Sequence, residues 1–146
     1  MPTSKLNRIK KQTGVWLDKD KAIIVTIYNG DVSLNTIVSH MEHFHVHGGS
    51  GTRSKGGPQD VVHDSKYLER EKHQQKKYFK KLASEIKDTD AIVLFGPAET
   101  RINFSKALAK SYKGLSIKVK DVVKTDRMTN RQVKAWVKAY FKSNRL

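Results

Sequence analysis

The chain has no cysteine among its 146 residues, which excludes a disulfide framework, a thiolate zinc site and a cysteine nucleophile. Acidic residues are scarce: 14 Asp+Glu stand against 29 Lys+Arg, a formal net charge of +15. Long apolar runs are missing. The longest, Ala22–Ile27 and Ala91–Phe95, fall far short of the ~20 residues that a membrane-spanning helix needs. No apolar signal-like stretch follows the basic N-terminus. Together these absences predict a soluble cytoplasmic protein with no membrane partner. The length suits one domain, large enough to bury a core without staples.

What the sequence does have is positive charge in particular places. Residues 1–13 carry +4, 64–87 carry +4 and 100–146 carry +11. Residues 14–39 carry −1, 40–63 are neutral and 88–99 carry −3. Cationic surfaces of this kind bind nucleic-acid backbones by releasing counterions. The plainer alternative is a solvated face that keeps the chain soluble.

Periodicity gives the elements. Residues 1–13 show almost no apolar pattern and read as a flexible basic arm, leaving 14–146 as a single domain. Gly14–Asp18 reads as a short strand and Ala22–Tyr28 as a β-branched one. Asn29-Gly30-Asp31 is a hairpin signal, and Val32 to about His47 a third strand. Residues 48–63, rich in glycine, read as a mobile loop. Asp64 or Ser65 then caps a helix that buries Leu68, Gln75, Phe79, Leu82 and Ile86. Ala91–Phe95 reads as a strand covered on both faces.

A second helix starts near Glu99, with Phe104, Ala107, Leu108 and Tyr112 inward and Gly114 at its C′ position. Leu115–Val123 is a fifth strand. Thr129 and Gln132 form a capping box for a last helix with Val133, Trp136, Val137, Tyr140 and Phe141 on one stripe. The order βββαβαβα predicts an α/β (α+β) fold: a mixed five-stranded sheet covered by three helices.

Three constellations bear on chemistry. The loop Gly56-Gly57-Pro58-Gln59 follows Arg53 and Lys55 and precedes a basic helix. Its glycines permit close backbone approach to a ligand; the alternative is a plain connector. His43, His45 and His47 alternate, so on a strand the three imidazoles share one face and could ligate zinc. Ordinary surface histidines beside the loop are the competing explanation, and no cofactor is expected. Asp18, Asp20 and Asp31 fall at turns, where Asp is common for conformational reasons, and this weighs against a two-metal nuclease.

A βββ-α order followed by Gly-Gly, a Gln and a long basic helix resembles the middle domain of eukaryotic and archaeal class I peptide-chain release factors, relatives of Pelota. The stretches Gly14–Asp18, Gly57–Val62 and Phe95–Glu99 also resemble a group of small bacterial translational machinery component proteins. The resemblance spans about residues 14–143. It implies the ribonuclease H-like translational machinery components fold, with the ribosome, ribosomal RNA or tRNA as partners. In release factors the Gly-Gly-Gln tip promotes hydrolysis of the peptidyl-tRNA ester, which would assign Gly56, Gly57 and the catalytic Gln59 here. Pro58 departs from that pattern, removing one backbone donor and moving Gln59 one residue along.

The leading expectation is therefore a non-enzymatic RNA-binding protein of the translation machinery. Lys66, Arg70, Lys77, Lys80 and Lys81 would contact phosphates, with Arg53, Lys55, Gly56 and Gly57 on the loop. Arg131, Lys134 and Lys138 of the last helix would add affinity. Such contacts carry little sequence specificity. The alternatives are a peptidyl-tRNA hydrolase or rescue factor acting through Gln59, and a structural partner-binding module.

Overall fold

A computed structural model describes residues 10–39 and 57–143, with side chains from Leu68 onward in the second stretch. The elements run β1 (Lys11–Leu17), β2 (Lys21–Tyr28), β3 (Asp31–Val38), α1 (Gly57–Glu85), β4 (Ala91–Gly96), α2 (Thr100–Ser111), α3 (Lys113–Ser116), β5 (Val119–Lys124) and α4 (Asn130–Ser143). The strands form one mixed sheet in the order β3-β2-β1-β4-β5. β1 pairs antiparallel with β2 and parallel with β4, while β5 continues the parallel half. This is the expected five-stranded α/β architecture. Among the described residues there are four helices rather than three, the short α3 being the addition.

The hairpin between β2 and β3 turns on Asn29 and Gly30, both at positive φ (54° and 83°), as a primed turn demands. Alternation along the strands sorts side chains onto two buried layers. Val15, Leu17, Ile24, Ile92 and Leu94 pack under α1, α2 and α3 through Phe79, Leu82, Phe104, Leu108 and Leu115. Trp16, Ile23, Val25, Val93 and Phe95 face the other way, onto Val133, Val137 and Phe141 of α4. At Gly14 a Cβ would run into the Val137 side chain, so the missing side chain lets α4 lie close to the sheet. The capping box is present: Thr129 N–H donates to Gln132 Oε1 (2.9 Å), and Gln132 N–H donates to Thr129 Oγ1 (3.2 Å).

Several boundaries differ from the sequence reading. β1 begins at Lys11, so residues 11–13 belong to the sheet and not to a flexible arm. Thr13 is buried and its hydroxyl meets that of Thr89 at 2.8 Å, while Lys11 N–H donates to Asp90 Oδ2 at 2.8 Å. α1 starts at Gly57, which removes 57–63 from the expected loop and puts Asp64 and Ser65 inside the helix. Proline suits a first helical turn, where its absent N–H has no partner to lose. Gly114 does not end α2. Tyr112 caps that helix, and Gly114 lies within α3. β5 accordingly starts at Val119, and Leu115 is a buried helix residue. β3 ends at Val38, and the remainder of the expected third strand lies outside the described residues, as does the loop from 48 to 56.

Candidate nucleic-acid interface

Helix α1 runs 29 residues across one face of the sheet. Tyr78, Phe79, Leu82, Ala83 and Ile86 bury its inner side. Phe79 lies against Phe104 of α2 with ring centroids 5.1 Å apart. Tyr78 O–H donates to the Asp18 carbonyl at 3.1 Å, which fastens α1 to the β1–β2 turn. Burial first, then the charges of Asp18 and Asp20, push the Tyr78 phenol far above its ordinary 10. The Asp18 side chain organises that turn. Its Oδ1 accepts from Asp20 N–H (2.8 Å) and Lys21 N–H (3.0 Å), and Oδ2 accepts from Arg127 Nη1 at 2.9 Å. A carboxylate committed in this way is structural, and no group of three or more metal-ligating side chains occurs among the described residues.

The two flanks of α1 differ in their charged groups. On the flank toward β3, Glu85 accepts from Asn35 Nδ2 (3.2 Å); nearer the N-terminus, Glu71 pairs with Lys19 of the β1–β2 turn (2.7 Å). On the flank toward α2 and α3 two adjoining cavities open, of about 460 and about 500 Å³. Both are lined by Lys80 and Tyr112, so they form one groove. Its walls carry Lys76, Lys77 and Lys80 from α1, Lys87 from the turn after it, Lys110 from α2, and Lys118 from the turn before β5. Its floor is apolar, formed by Phe79, Ala83, Ala107 and Leu115. No carboxylate lines it, and among the described residues none of the six lysines is in an ion pair. A third cavity, at the start of α2, has mixed charge, with Lys19 and Lys72 beside Glu71 and Glu99.

The structure brings together part of the expected set. Lys77 and Lys80 are exposed on the outer and groove-facing sides of α1. Lys81 is exposed too, but at ~100° per helical residue it turns away from the groove toward the Glu85 flank. Arg70 is exposed one turn or more toward the N-terminus, and Lys66 lies further along the same helix. Arg131, Lys134 and Lys138 are exposed on α4. Because α1 and α4 cover opposite faces of the sheet, they do not extend the α1 surface. Gly57 and Gln59 fall in the first turn of α1 rather than at a loop tip. Arg53, Lys55, Gly56 and the histidines His43, His45 and His47 lie outside the described residues.

Sequence reasoning missed Lys76, Lys87, Lys110, Lys118 and Tyr112. Lys76, Lys80 and Lys87 recur at helical spacing on one flank, a signal that was available. Their meeting with Lys110 and Lys118 depends on how α2 and α3 pack, and no local pattern encodes that.

A mixed five-stranded sheet with helices on both faces and a long basic helix on one of them defines an α/β domain. Among solved structures, the chain is similar over 92% of its length to the Pelota protein of Thermoplasma acidophilum, with TM-score 0.52 and 18% identity, and it covers 32% of that chain. It is similar over 93% of its length to the archaeal translation termination factor aRF1, with TM-score 0.58 and 10% identity, covering 35% of that chain. Archaeoglobus fulgidus Pelota matches over 99% with TM-score 0.54 and 10% identity, and 34% of it is covered. The chain thus spans about a third of each of these proteins, and what it shares with them is the fold. No family model and no curated protein matches it.

Proposed function

We propose that this protein is a cytoplasmic RNA-binding module of the translation machinery that docks on the ribosome through the cationic side of α1. The observation that carries this reading is the run of exposed basic side chains on the solvent side of that helix. Glu71 and Glu85 are engaged by Lys19 and Asn35, while Arg70, Lys76, Lys77, Lys80 and Lys81 are exposed. The fold shared with an archaeal translation termination factor and with Pelota supports the same assignment. Lys66, Arg70, Lys77, Lys80 and Lys81 are the proposed phosphate contacts, continued by Gly57 at the start of the helix and by Arg53, Lys55 and Gly56 before it in the sequence. Contacts of this type position a protein on a phosphate backbone without reading sequence.

The test is co-sedimentation with ribosomes at moderate salt. The triple variant Lys77→Glu, Lys80→Glu, Lys81→Glu is expected to pellet at least tenfold less than wild type with an unchanged unfolding midpoint. Unchanged pelleting would remove this face from the interaction. The same ribosomes, stalled with a nascent peptide, test the enzymatic alternative. Release that depends on Gln59 would establish ester hydrolysis through that side chain, and equal release by wild type and Gln59→Ala would remove Gln59 from the mechanism.

A further inference from the structure

We infer that the groove between α1 and the α2–α3 turn is a binding channel for a single strand of RNA, with Tyr112 as the stacking surface at its centre. The inference rests on the ribosomal reading above and names the ligand that this part of the molecule takes. Charge is the first argument. Six lysines ring the groove and no carboxylate lines it, so the occupant is polyanionic. The second argument is the floor. Phe79, Ala83, Ala107 and Leu115 present apolar surface between the lysines, which a phosphate backbone alone would not use. Duplex RNA turns its phosphates outward and keeps its bases stacked inside. An unpaired strand offers both phosphates and base faces, and proteins that bind such strands combine cationic walls with aromatic platforms.

Tyr112 supplies the platform. It follows the last residue of α2 in a non-helical conformation (φ −134°, ψ 60°) and is half-buried. It lines both halves of the groove, between Lys110 on one side and Lys118 on the other. From Lys76 to the end of α1 at Glu85 the channel follows about 14 Å of helix, with Lys87 in the turn just past it. At ~3.4 Å of rise per stacked nucleotide, that length accommodates on the order of four nucleotides.

The experiment is fluorescence anisotropy of the full chain with labelled octauridine, a hairpin-free single strand, against a blunt RNA duplex and a poly-glutamate competitor. Octauridine is expected to bind tighter than the duplex, with a log–log salt slope near −3 if about four phosphates are neutralised at roughly −0.7 each. Tyr112→Leu keeps apolar volume under the groove and removes the aromatic face. It is expected to weaken octauridine binding about tenfold and leave duplex binding unchanged. Lys110→Glu with Lys118→Glu, both away from the outer face of α1, is expected to weaken octauridine binding by a similar factor, with wild-type circular dichroism.

Equal affinity for strand and duplex, with no effect of Tyr112→Leu on either, would overturn the channel. So would poly-glutamate displacing octauridine at equal charge concentration, which would make the groove a site for acidic peptides. Ribosome pelleting separates the two proposals. If the groove variants pellet normally and octauridine fails to bind, the channel is wrong and the outer-face reading stands. If pelleting is absent for wild type while octauridine binds as described, the channel stands without the ribosome.

Discussion

Asp18 and Tyr78 show how single residues fix the candidate interface. The Asp18 carboxylate closes the β1–β2 turn and holds Arg127, and its carbonyl receives the Tyr78 hydroxyl from the middle of α1. The position of the basic helix over the sheet therefore depends on a phenol that must stay protonated. Burial and the nearby Asp18 and Asp20 charges hold its folded-state pKa above the ordinary value of 10. Below pH 10 both folded and unfolded chains keep the proton, and the stabilisation is complete. As pH rises past 10 the unfolded phenol ionises first, so stability falls until the folded pKa is reached. Tyr140, raised by burial and by Asp121, adds a loss of the same sign. Urea unfolding of Tyr78→Phe is expected to show about 1 kcal/mol less stability at pH 7, from the lost hydrogen bond, and a shallower decline between pH 10 and 11.5. Parallel declines for the two proteins would mean that Tyr78 is not the group responsible.

At the scale of elements, α4 is held by shape more than by its cap. Gly14 leaves the space that Val137 fills, inside a layer where Trp136 stacks on Phe95 with centroids 3.9 Å apart. Gly14→Ala is expected to cost about 1–3 kcal/mol by overpacking, measured by thermal or urea unfolding. Adding Val137→Ala should recover part of that loss, because the two changes act on one contact. The stripe from Val133 to Phe141, the capping box and the β-branched strands were all legible in the sequence, because each is a local period or a short-range pairing. The ends of α1 and β5 were not. Glycine and proline in Gly57-Pro58 read as loop, although a first helical turn tolerates both. Ile117 and Val119 alternate like strand residues, yet Ile117 is exposed and the chain around Leu115 closes a short helix that fills the core beside α1. The groove was illegible for the related reason that its lysines come from three elements brought together only by packing.

For the whole molecule, the consequence of the sheet is that the exposed basic surfaces of α1 and α4 point in opposite directions. The sequence reading joined the lysines of α1 to Arg131, Lys134 and Lys138, but a sheet with buried side chains on both faces lies between them. A ligand seated on α1 reaches the α4 charges only through their field, and at physiological salt that field decays over roughly 8 Å. Arg131→Glu, Lys134→Glu and Lys138→Glu together are therefore expected to lower ribosome pelleting several-fold at low salt and negligibly near 0.15 M. The loss caused by the α1 variant should remain at both. Titrating salt against pelleting for the two triple variants checks this. If both lose binding equally at 0.15 M, the ligand encloses the domain and contacts both faces, as a cavity of folded RNA would. If only α1 matters there, the ligand takes one face, and α4 serves to steer the encounter from a distance.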